Sequence, residues 1–346
     1  MKKILKQVAG IDVAQKELVV SLGRMYDDLS TQVYACKTFV NQASGFTTLI
    51  AWIEQLTDPQ VQTTYVMEAT GVYHESLAYF LAEKGQLLSI VLPNKISNYM
   101  RTLEVKTITD KTASEAIARF GLERKLDNWK KPAGIFKKMR QLTRERDQVV
   151  LHRTITKNQL HAEQAEAEPN KNTVARLKKQ IQLFNKQEQD IRLELEALIK
   201  DDEHAGRSIK LMCSLSGIGL ITAATVLAET NGFELIRNKR QLASYAGFDI
   251  REKQSGTSVK GKPRISKRGN RYLRKAMHMP ALSAIRSDER FKAVFARLVA
   301  KHGIKMKAAV AVQRKLLEII FTIYKSGVAY DKHYLKKIES NTEVAP

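Results

Sequence analysis

Three carboxylates stand where metal-dependent phosphodiester chemistry would need them. Asp12 lies within the β-rich run 8–13, Glu68 ends the apolar run 63–67, and Asp110 opens a helix-forming segment. A charge inside an apolar strand is costly unless it is paired or bound to a metal. Carboxylates at strand ends and a helix start can converge at the carboxyl edge of a small sheet, and such oxygen ligands suit Mg²⁺. Two such ions can bridge the attacking and leaving oxygens of a phosphodiester.

Each of these carboxylates also has a structural interpretation. Asp110 would serve well as a helix N-cap, which is a common position for aspartate. Asp12 would lie in a turn if the strand around it were misplaced. The three residues in this order and on these elements favour a metal site over the separate structural roles.

A serine within a strongly basic segment is the second candidate for chemistry. Ser255 precedes Gly256, and a serine hydroxyl becomes a nucleophile when its proton is removed or the developing charge is stabilised. The alternative is a loop that binds the phosphate backbone, in which Ser255 only donates a hydrogen bond; residue chemistry alone favours this alternative. The basic residues predicted to contact nucleic acid are Arg251, Lys253, Lys260, Lys262, Arg264, Lys267, Arg268, Arg271 and Arg274, with Lys275 close behind.

A glycine-containing turn precedes this segment. Residues 214–229 resemble a helix-hairpin-helix element, in which the backbone N–H groups around Gly217 and Gly219 could bind phosphate oxygens. A tight turn leading into a buried, alanine-rich helix is the alternative, and the sequence does not favour either.

Composition points to nucleic acid as a partner. Lys and Arg number 58 against 36 Asp and Glu, which gives a net charge of +22 over 346 residues. Such a surface attracts polyanions, although a basic protein such as a ribosome-associated factor would look the same. With two cysteines there is no disulfide framework or Cys-rich zinc site. No apolar run predicts a membrane helix or a secretory signal, so a cytoplasmic location is expected.

The elements that would position the carboxylates alternate between strands and helices. Strands are predicted at residues 8–13, 18–22, 32–40, 63–67 and 87–92, and helices at 44–56, 75–84 and 110–123. Three antiparallel strands, a helix and then alternating strands and helices are the order of an RNase H-like fold. The predicted fold class is therefore α/β followed by α-helical structure.

The rest of the chain is predicted to be helical. Residues 136–200 form a long antiparallel helical hairpin of coiled-coil type, broken at 166–173 by Pro169 and Asn170. This hairpin suits an oligomerisation arm or nucleic-acid contact equally well. Further helices are predicted at 238–245, 270–285, 288–301 and 304–324, and the tail after residue 330 is polar.

Several motifs in this order resemble the insertion-sequence-110 family of DEDD transposases, including its insertion-sequence-1111 branch, which are relatives of the Piv DNA invertase. The resemblance covers nearly the whole chain. The motifs are Gly10-Ile11-Asp12-Val13, Glu68-Ala69-Thr70-Gly71, Leu215-Ser216-Gly217-Ile218-Gly219 with Thr222-Ala223, the stretch from Gln241 to Gly247, Gln254-Ser255-Gly256, and the stretch from Ile265 to Asn270.

This resemblance implies a domain order and a mechanism. It implies a RuvC-like RNase H-fold domain at residues 1–132, a coiled-coil hairpin at 133–205 and a C-terminal transposase domain at 206–346. It implies that Asp12, Glu68 and Asp110 bind Mg²⁺ and that Ser255 forms a covalent phosphoserine link with DNA.

The resemblance also implies partners. A non-coding bridge RNA would pair with donor and target DNA, and dimers would pair into tetramers whose sites join one subunit's carboxylates with another's serine. The expected location is the cytoplasm of a bacterium or archaeon, in association with the nucleoid. The alternatives are a RuvC-like metal-dependent junction nuclease, a DNA invertase without guide RNA, and a non-enzymatic nucleic-acid-binding descendant.

One position departs from the family pattern. Ala113 stands three residues after Asp110, where the family has a fourth carboxylate on the same helix face. The loss of one ligand is expected to weaken metal binding and catalysis. The hypothesis is an engineered inactivating change, made to trap a complex, and a naturally decayed copy is the alternative.

Overall fold

The protein was studied as a computed structural model that describes residues 2–69, 71–103, 107–234, 236–252, 254–255, 259–261 and 263–331. For residues 254–255 and 259–260 the description is limited to the backbone. The chain forms two compact units, of which the first ends at Lys131 and the second begins at Pro132. The finer division into three domains stays a prediction.

A five-stranded mixed sheet forms the centre of the first unit. Its strands are β1 (Ile4–Val13), β2 (Glu17–Tyr26), β3 (Thr31–Val40), β4 (Thr63–Glu68) and β5 (Leu87–Val91). Their order across the sheet is β3-β2-β1-β4-β5; β1 to β3 are antiparallel neighbours, and β4 and β5 continue the sheet in parallel with β1. This strand order with these directions is the RNase H-like arrangement that the sequence predicts for the N-terminal domain.

Helices cover both faces of this sheet. Their bounds are α1 (Ala43–Leu56), α2 (Glu75–Glu83), α3 (Pro93–Met100), a 3₁₀ turn (Arg101–Leu103) and α4 (Asp110–Glu123). Alternate residues of β1 face opposite cores, because side chains alternate along a strand. Ile11 packs with residues of α1 and α2, whereas Val8 packs with residues of α3 and α4. Helix α3 was not predicted from the sequence. Pro93 begins this helix, at a position that needs no N–H donor.

Helix α4 lies unusually close to β1, and two glycines permit this. A Cβ atom added to Gly10 would lie 2.2 Å from the backbone nitrogen of Ala118 and 2.5 Å from the carbonyl oxygen of Ser114. One added to Gly121 would lie 2.8 Å from a methyl carbon of Val8. Val8 comes before Gly10 in β1, but it contacts Gly121, which comes after Ser114 and Ala118 in the helix. Helix α4 therefore runs antiparallel to β1.

A buried hydrogen bond fixes the same contact. The hydroxyls of Ser21 on β2 and Ser114 on α4 lie 2.7 Å apart. Ser21 pairs with Gly10 across the antiparallel ladder, so the bond lies beside the closest approach of helix and sheet. The register of α4 along β1 is therefore set by packing and by a polar contact together.

The described part of the second unit is mainly helical. Its helices are α5 (Gly134–Ala165), α6 (Lys171–Lys200), α7 (Glu203–Met212), α8 (Leu220–Thr230), α9 (Lys239–Ala246), α10 (Arg271–Ala276), α11 (His278–Ser287), α12 (Glu289–His302) and α13 (Lys305–Ser326). The single helix predicted at 270–285 is wrong, because the structure divides it at Met277. Pro280 has no N–H to bond the carbonyl of Ala276, which weakens helical bonding at that point.

Helices α5 and α6 form the predicted hairpin. Arg146 and Arg153 of α5 both pair with Glu188 of α6, and the rings of His152 and Phe184 lie 6.0 Å apart. Asn170 caps α6 by accepting from two backbone N–H groups, which explains the break in the sequence. Coiled-coil packing of this hairpin stays a prediction.

The connection between α9 and α10 contains short antiparallel pairs that the sequence did not predict. They are β6 (Ile250–Arg251) with β9 (Arg264–Ile265), and β7 (Gln254–Ser255) with β8 (Val259–Lys260). Two-residue strands leave too short a hydrophobic pattern to be recognised. None of the described helices combines the length and apolar character that a membrane span requires.

The close approach at Gly10 yields a stability prediction. Gly10→Ala places a methyl group against the α4 backbone, and we expect a loss of at least about 3 kcal/mol in the free energy of unfolding. Both tryptophans, Trp52 and Trp129, belong to the first unit, so their fluorescence during urea titration follows that unit. Gly134→Ala, where a Cβ meets nothing within 4 Å, is the control and should leave the fluorescence midpoint unchanged. Equal midpoints for both variants would contradict the packing argument.

Candidate functional site

Asp12 and Glu68 lie side by side at the carboxyl edge of the sheet. Strands β1 and β4 are parallel, and their register pairs Gly10 with Val66 and Ile11 with Met67. The next positions along this register are Asp12 and Glu68. Since side chains alternate, both carboxylates share the sheet face of Gly10 and Val66, which is the face covered by α4. Asp12 also pairs with Val19 on β2, so the interpretation that placed it in a turn is wrong.

Asp110 approaches the same edge from the helix side. It is the first residue of α4, and the preceding Thr109 is the N-cap, whose hydroxyl accepts from the backbone nitrogen of Thr112 at 3.2 Å. The interpretation of Asp110 as the N-cap is therefore wrong, and its carboxylate is not used for capping. Because α4 runs antiparallel to β1, moving along β1 from Gly10 to Asp12 corresponds to moving back along α4 from Ser114 towards Asp110.

The pKa of Asp12 is raised by its surroundings. Burial is the largest cause, followed by the negative charges of Asp110 and Glu68, and together they raise the pKa from 3.8 to about 6. A backbone hydrogen bond at Val13 acts in the opposite direction. Like charges held together in a partly buried place disfavour ionisation, and a cation would relieve this cost.

The carboxylates do not form a closed set of metal ligands. Within the described part of the chain, no three His, Cys, Asp or Glu side chains stand close enough to hold one metal ion together. The donors are hard oxygens of the kind that Mg²⁺ takes. Their identity fits the predicted metal, and occupation by Mg²⁺ stays a proposal.

Ala113 lies one helical turn after Asp110. It is half-buried, and its backbone nitrogen bonds the carbonyl oxygen of Thr109 at 2.8 Å. Residues three apart share a helix face, so a carboxylate at position 113 would point to the same side as Asp110. The methyl group of Ala113 has no oxygen that could bind a metal ion. Helix α4 therefore supplies one carboxylate fewer to this face than it would with an acidic residue at position 113.

Ser255 lies on a short ribbon in the second unit. Its backbone pairs with Val259, but its side chain, like that of Lys260, lies outside the described atoms. Lys253 and Lys262 lie outside the described residues. The ribbon's base is fixed by the pairing of β6 with β9 and by a 2.6 Å hydrogen bond from the Ser266 hydroxyl to Asp249.

The described basic residues around this ribbon divide into two groups. The exposed ones are Arg251, Arg264, Lys267, Arg268 and Arg271, which suits contact with a phosphate backbone. Arg274 is half-buried, and its Nη1 donates to the carbonyl oxygens of Ala246 at 2.7 Å and Gly269 at 3.2 Å. The nucleic-acid role of each residue stays a prediction, and Arg274 has an internal structural role as well.

Gly217 and Gly219 differ in their surroundings. Gly217 has a positive φ of 86°, and an added Cβ would lie 2.5 Å from the carbonyl oxygen of Pro280, so helix α11 requires glycine there. Gly219 is the N-cap of α8, and an added Cβ would meet nothing within 4 Å. Packing therefore explains Gly217, while the backbone at Gly219 is sterically open to a ligand.

Sequence reasoning missed a buried ionic group in the second unit. Glu229, at the end of α8, bonds Arg144 and Asn270 through its carboxylate. A glutamate closing the apolar run 220–228 was the only signal available, and its partners are distant in sequence.

An RNase H-like domain with carboxylates at one sheet edge is followed by a helical unit with exposed basic residues around a short ribbon, and this combination suits nucleic-acid processing. A family model described as "Transposase", of the IS110 DEDD type, matches residues 9–164, and one described as "Transposase IS116/IS110/IS902 family" matches residues 209–296. The chain belongs to the IS110 family of DEDD transposases.

Curated relatives agree with this assignment. The pilin gene-inverting protein of Moraxella bovis is 27% identical over 297 residues, which cover 85% of this chain and 90% of the relative. An uncharacterized 43.6 kDa protein of insertion element IS110 from Streptomyces coelicolor is 27% identical over 129 residues, covering 37% of this chain and 32% of that protein. Among solved structures, Thermus thermophilus RuvC in complex with a Holliday junction substrate is 10% identical, with a TM-score of 0.26, covering 34% of this chain and 97% of RuvC.

The raised pKa of Asp12 predicts how stability depends on pH in metal-free solution. A carboxyl group whose pKa is higher in the folded state than in the unfolded state favours folding when it is protonated. The free energy of unfolding should therefore fall as pH rises from about 4 to above 6. Asp12→Asn removes this cost, so at pH 7.5 its tryptophan fluorescence should report a higher urea midpoint than the parent's.

The exposed turn residue Asp27 supplies the control, because Asp27→Asn removes a carboxylate while leaving Asp12, Glu68 and Asp110 unchanged. If Asp12→Asn were as sensitive to pH over this interval as the parent, Asp12 would not be the group responsible.

Proposed function

We propose that this chain is a recombinase that cleaves and rejoins DNA with two separate groups of residues. Asp12, Glu68 and Asp110 would hold divalent metal ions, and Ser255 would attack the scissile phosphate. The observation that supports the proposal is the parallel register that brings Asp12 beside Glu68 at one sheet edge, with Asp110 at the start of the helix packed on that face. Membership of a DEDD transposase family supports it.

The carboxylates suit Mg²⁺ through their chemistry. When bound, the metal would stabilise the charge that develops on phosphate oxygens. The chain's own contribution is to bring hard anionic donors together on a rigid sheet and helix, where their mutual repulsion favours binding of a cation.

The serine step forms one bond and breaks another. The Ser255 oxygen bonds to phosphorus, the phosphodiester bond to one sugar oxygen breaks, and the serine's proton is balanced by protonation of the departing oxygen. Reversal of the step by a different DNA end rejoins the strand. The exposed arginines and lysines near the ribbon would neutralise phosphates and stabilise the transition state.

The proposed partners follow the family resemblance. Donor and target DNA would be paired by a bridge RNA held on the basic surface and the helical hairpin, in which coiled-coil packing would join subunits. Dimers pairing into tetramers would let the carboxylates of one subunit meet the serine of another. The proposed setting is the nucleoid of a bacterial or archaeal cytoplasm.

Ala113 limits the activity proposed for this chain. Without a carboxylate at this position the metal site lacks one donor, so cleavage should be slow. We propose that the position is an engineered or decayed ligand site, at which aspartate would restore the fourth donor.

A second candidate is a DNA invertase or junction nuclease that needs no guide RNA. The similarity to the pilin gene-inverting protein, which covers 90% of that relative, favours this candidate. A junction nuclease of this kind would use metal-activated water and would leave no covalent protein–DNA link.

A covalent-trapping experiment tests the proposal. The Ala113→Asp chain, incubated with element-end DNA, copurified RNA and Mg²⁺, should form a protein–DNA adduct whose phosphopeptide contains Ser255. Adduct formation should fall at least about 1,000-fold in Ser255→Ala. Ser258→Ala, in the same segment, is the matched control and should retain the adduct.

Two outcomes would contradict the proposal. Strand cleavage without an adduct would favour the metal-activated water of a junction nuclease. Adduct formation that is equal in the parent and in Ala113→Asp would show that position 113 is not a ligand position.

A further inference from the structure

Glu229 is a buried carboxylate that the proposed reaction does not use. It lies in the last turn of α8, and its side chain is only 1% exposed. Its neighbours Val226, Leu227 and Ala228 are fully buried apolar residues. An ionised carboxylate is stable in such a place only when its oxygens are fully hydrogen-bonded. The residues that bind the Glu229 carboxylate therefore indicate what this buried residue does.

Two side chains distant in sequence satisfy both carboxylate oxygens. Arg144 of α5 binds in the two-point manner, with Nε 2.7 Å from Oε1 and Nη2 2.8 Å from Oε2. The Asn270 amide donates to Oε2 at 2.6 Å. The guanidinium of Arg144 also lies 4.4 Å from the centre of the Tyr272 ring, which holds it in place. Glu229 thus links the hairpin helix α5 to Asn270.

Glu229 contacts both ends of residues 247–269, which we call the serine segment. Tyr245, just before the segment, donates its hydroxyl to the main-chain oxygen of Glu229 at 2.9 Å. Asn270, just after it, binds the Glu229 carboxylate. The two ends also bind each other, since the backbone nitrogen of Asn270 donates to the carbonyl oxygen of Tyr245 at 2.8 Å. One residue therefore holds the start and the end of the segment that carries Ser255.

The closure of the segment depends on glycine. Gly269 has a φ of 154°, and an added Cβ would lie 2.4 Å from the carbonyl oxygen of Tyr245. Gly247 has a φ of 72°, and an added Cβ would lie 2.7 Å from Nη1 of Arg274, which donates to Ala246 and Gly269. These approaches are too close for any other residue. The base of the segment is a rigid closure, and Glu229 ties it to α8 and α5.

We propose that Glu229 is a positioning residue for Ser255, held by Arg144 and acting through Asn270 and Tyr245. The inference rests on the proposed role of Ser255 as the nucleophile. A displacement of α5 would reach the serine segment through the carboxylate of Glu229, so the helical hairpin and the nucleophile are mechanically coupled. Positioning within a fraction of an ångström governs the rate of attack on phosphorus more than it governs DNA binding.

Asn270→Asp tests this with little other change. The Oδ1 atom of Asn270 accepts from the backbone nitrogens of Tyr272 and Leu273, and aspartate keeps that helix cap. The second oxygen of the new aspartate, however, faces the Glu229 carboxylate where the Asn270 amide donated a hydrogen bond. The two acidic groups then repel each other. In the double variant Glu229→Gln/Asn270→Asp the glutamine amide supplies a donor towards position 270. Arg144 Nη2 then loses its acceptor at that atom, and Arg144 keeps the bond from Nε to the remaining oxygen. Glu318→Gln, which breaks the ion pair with Arg314 on α13, is the matched control.

The first readout is hydrogen exchange of full-length protein, which requires no catalysis. Amides of the serine segment should exchange at least about 10-fold faster in Asn270→Asp. The double variant should exchange more slowly than Asn270→Asp, because it regains the bond to position 270 while Arg144 keeps one bond. Glu318→Gln should leave the segment unchanged. Unchanged exchange in Asn270→Asp would overturn the anchor.

The second readout is the rate of adduct formation at saturating DNA in the Ala113→Asp background. We expect a fall of about 10- to 100-fold in Asn270→Asp with DNA affinity unchanged, and partial recovery in the double variant. Faster exchange with an undiminished adduct rate would show that Glu229 holds the segment without positioning Ser255, which overturns the proposal. If no variant forms an adduct, including the Ala113→Asp parent, the proposal that Ser255 is the nucleophile fails. The positioning role of Glu229 then fails with it. The hydrogen-exchange data still decide whether Glu229 anchors the serine segment.

Discussion

The close packing of α4 on β1 is the contact on which the candidate carboxylate site depends. Gly10 and Gly121 remove the side chains that would otherwise separate helix and strand, and the bond between Ser21 and Ser114 sets the helix register. With this register, the start of α4 meets the end of β1. Asp110 is therefore positioned near Asp12 by a helix packed on a strand and not by a loop. A rigid scaffold of this kind preorganises charged groups.

The same contact creates an electrostatic cost that a cation could offset. Asp12 is partly buried and lies near two further carboxylates, and its pKa rises to about 6 as a consequence. A fold that needed only stability would place apolar side chains at this edge, because clustered like charges weaken the folded state. The retained acidic residues therefore indicate function. Glu229 in the second unit differs from Asp12, because Arg144 and Asn270 donate hydrogen bonds to both of its carboxylate oxygens. This carboxylate holds the surrounding elements together.

The sequence predicted the RNase H-like order because strand and helix periodicities in the first unit are clear, and α4 was predicted with its observed bounds. It also predicted that Asp12 and Glu68 lie in neighbouring strands and that Asp110 opens a helix, since strand ends and helix starts can be located from local patterns. It could not identify α3, because proline both ends strands and begins helices. It predicted one helix over residues 270–285 where the structure has two, because the effect of Pro280 on the carbonyl four residues earlier depends on the surrounding packing. Glu229 escaped notice because its partners at positions 144 and 270 become neighbours only on folding.

The central claim is that the three carboxylates share one electrostatic neighbourhood, and ¹³C NMR of selectively labelled aspartate tests it most directly. In metal-free protein the account predicts that Asp12 titrates near a pKa of about 6. It predicts a lower pKa for Asp12 in both Glu68→Gln and Asp110→Asn, because each variant removes a nearby negative charge. A pKa close to the ordinary value of 3.8, or one that neither substitution changes, would contradict the account.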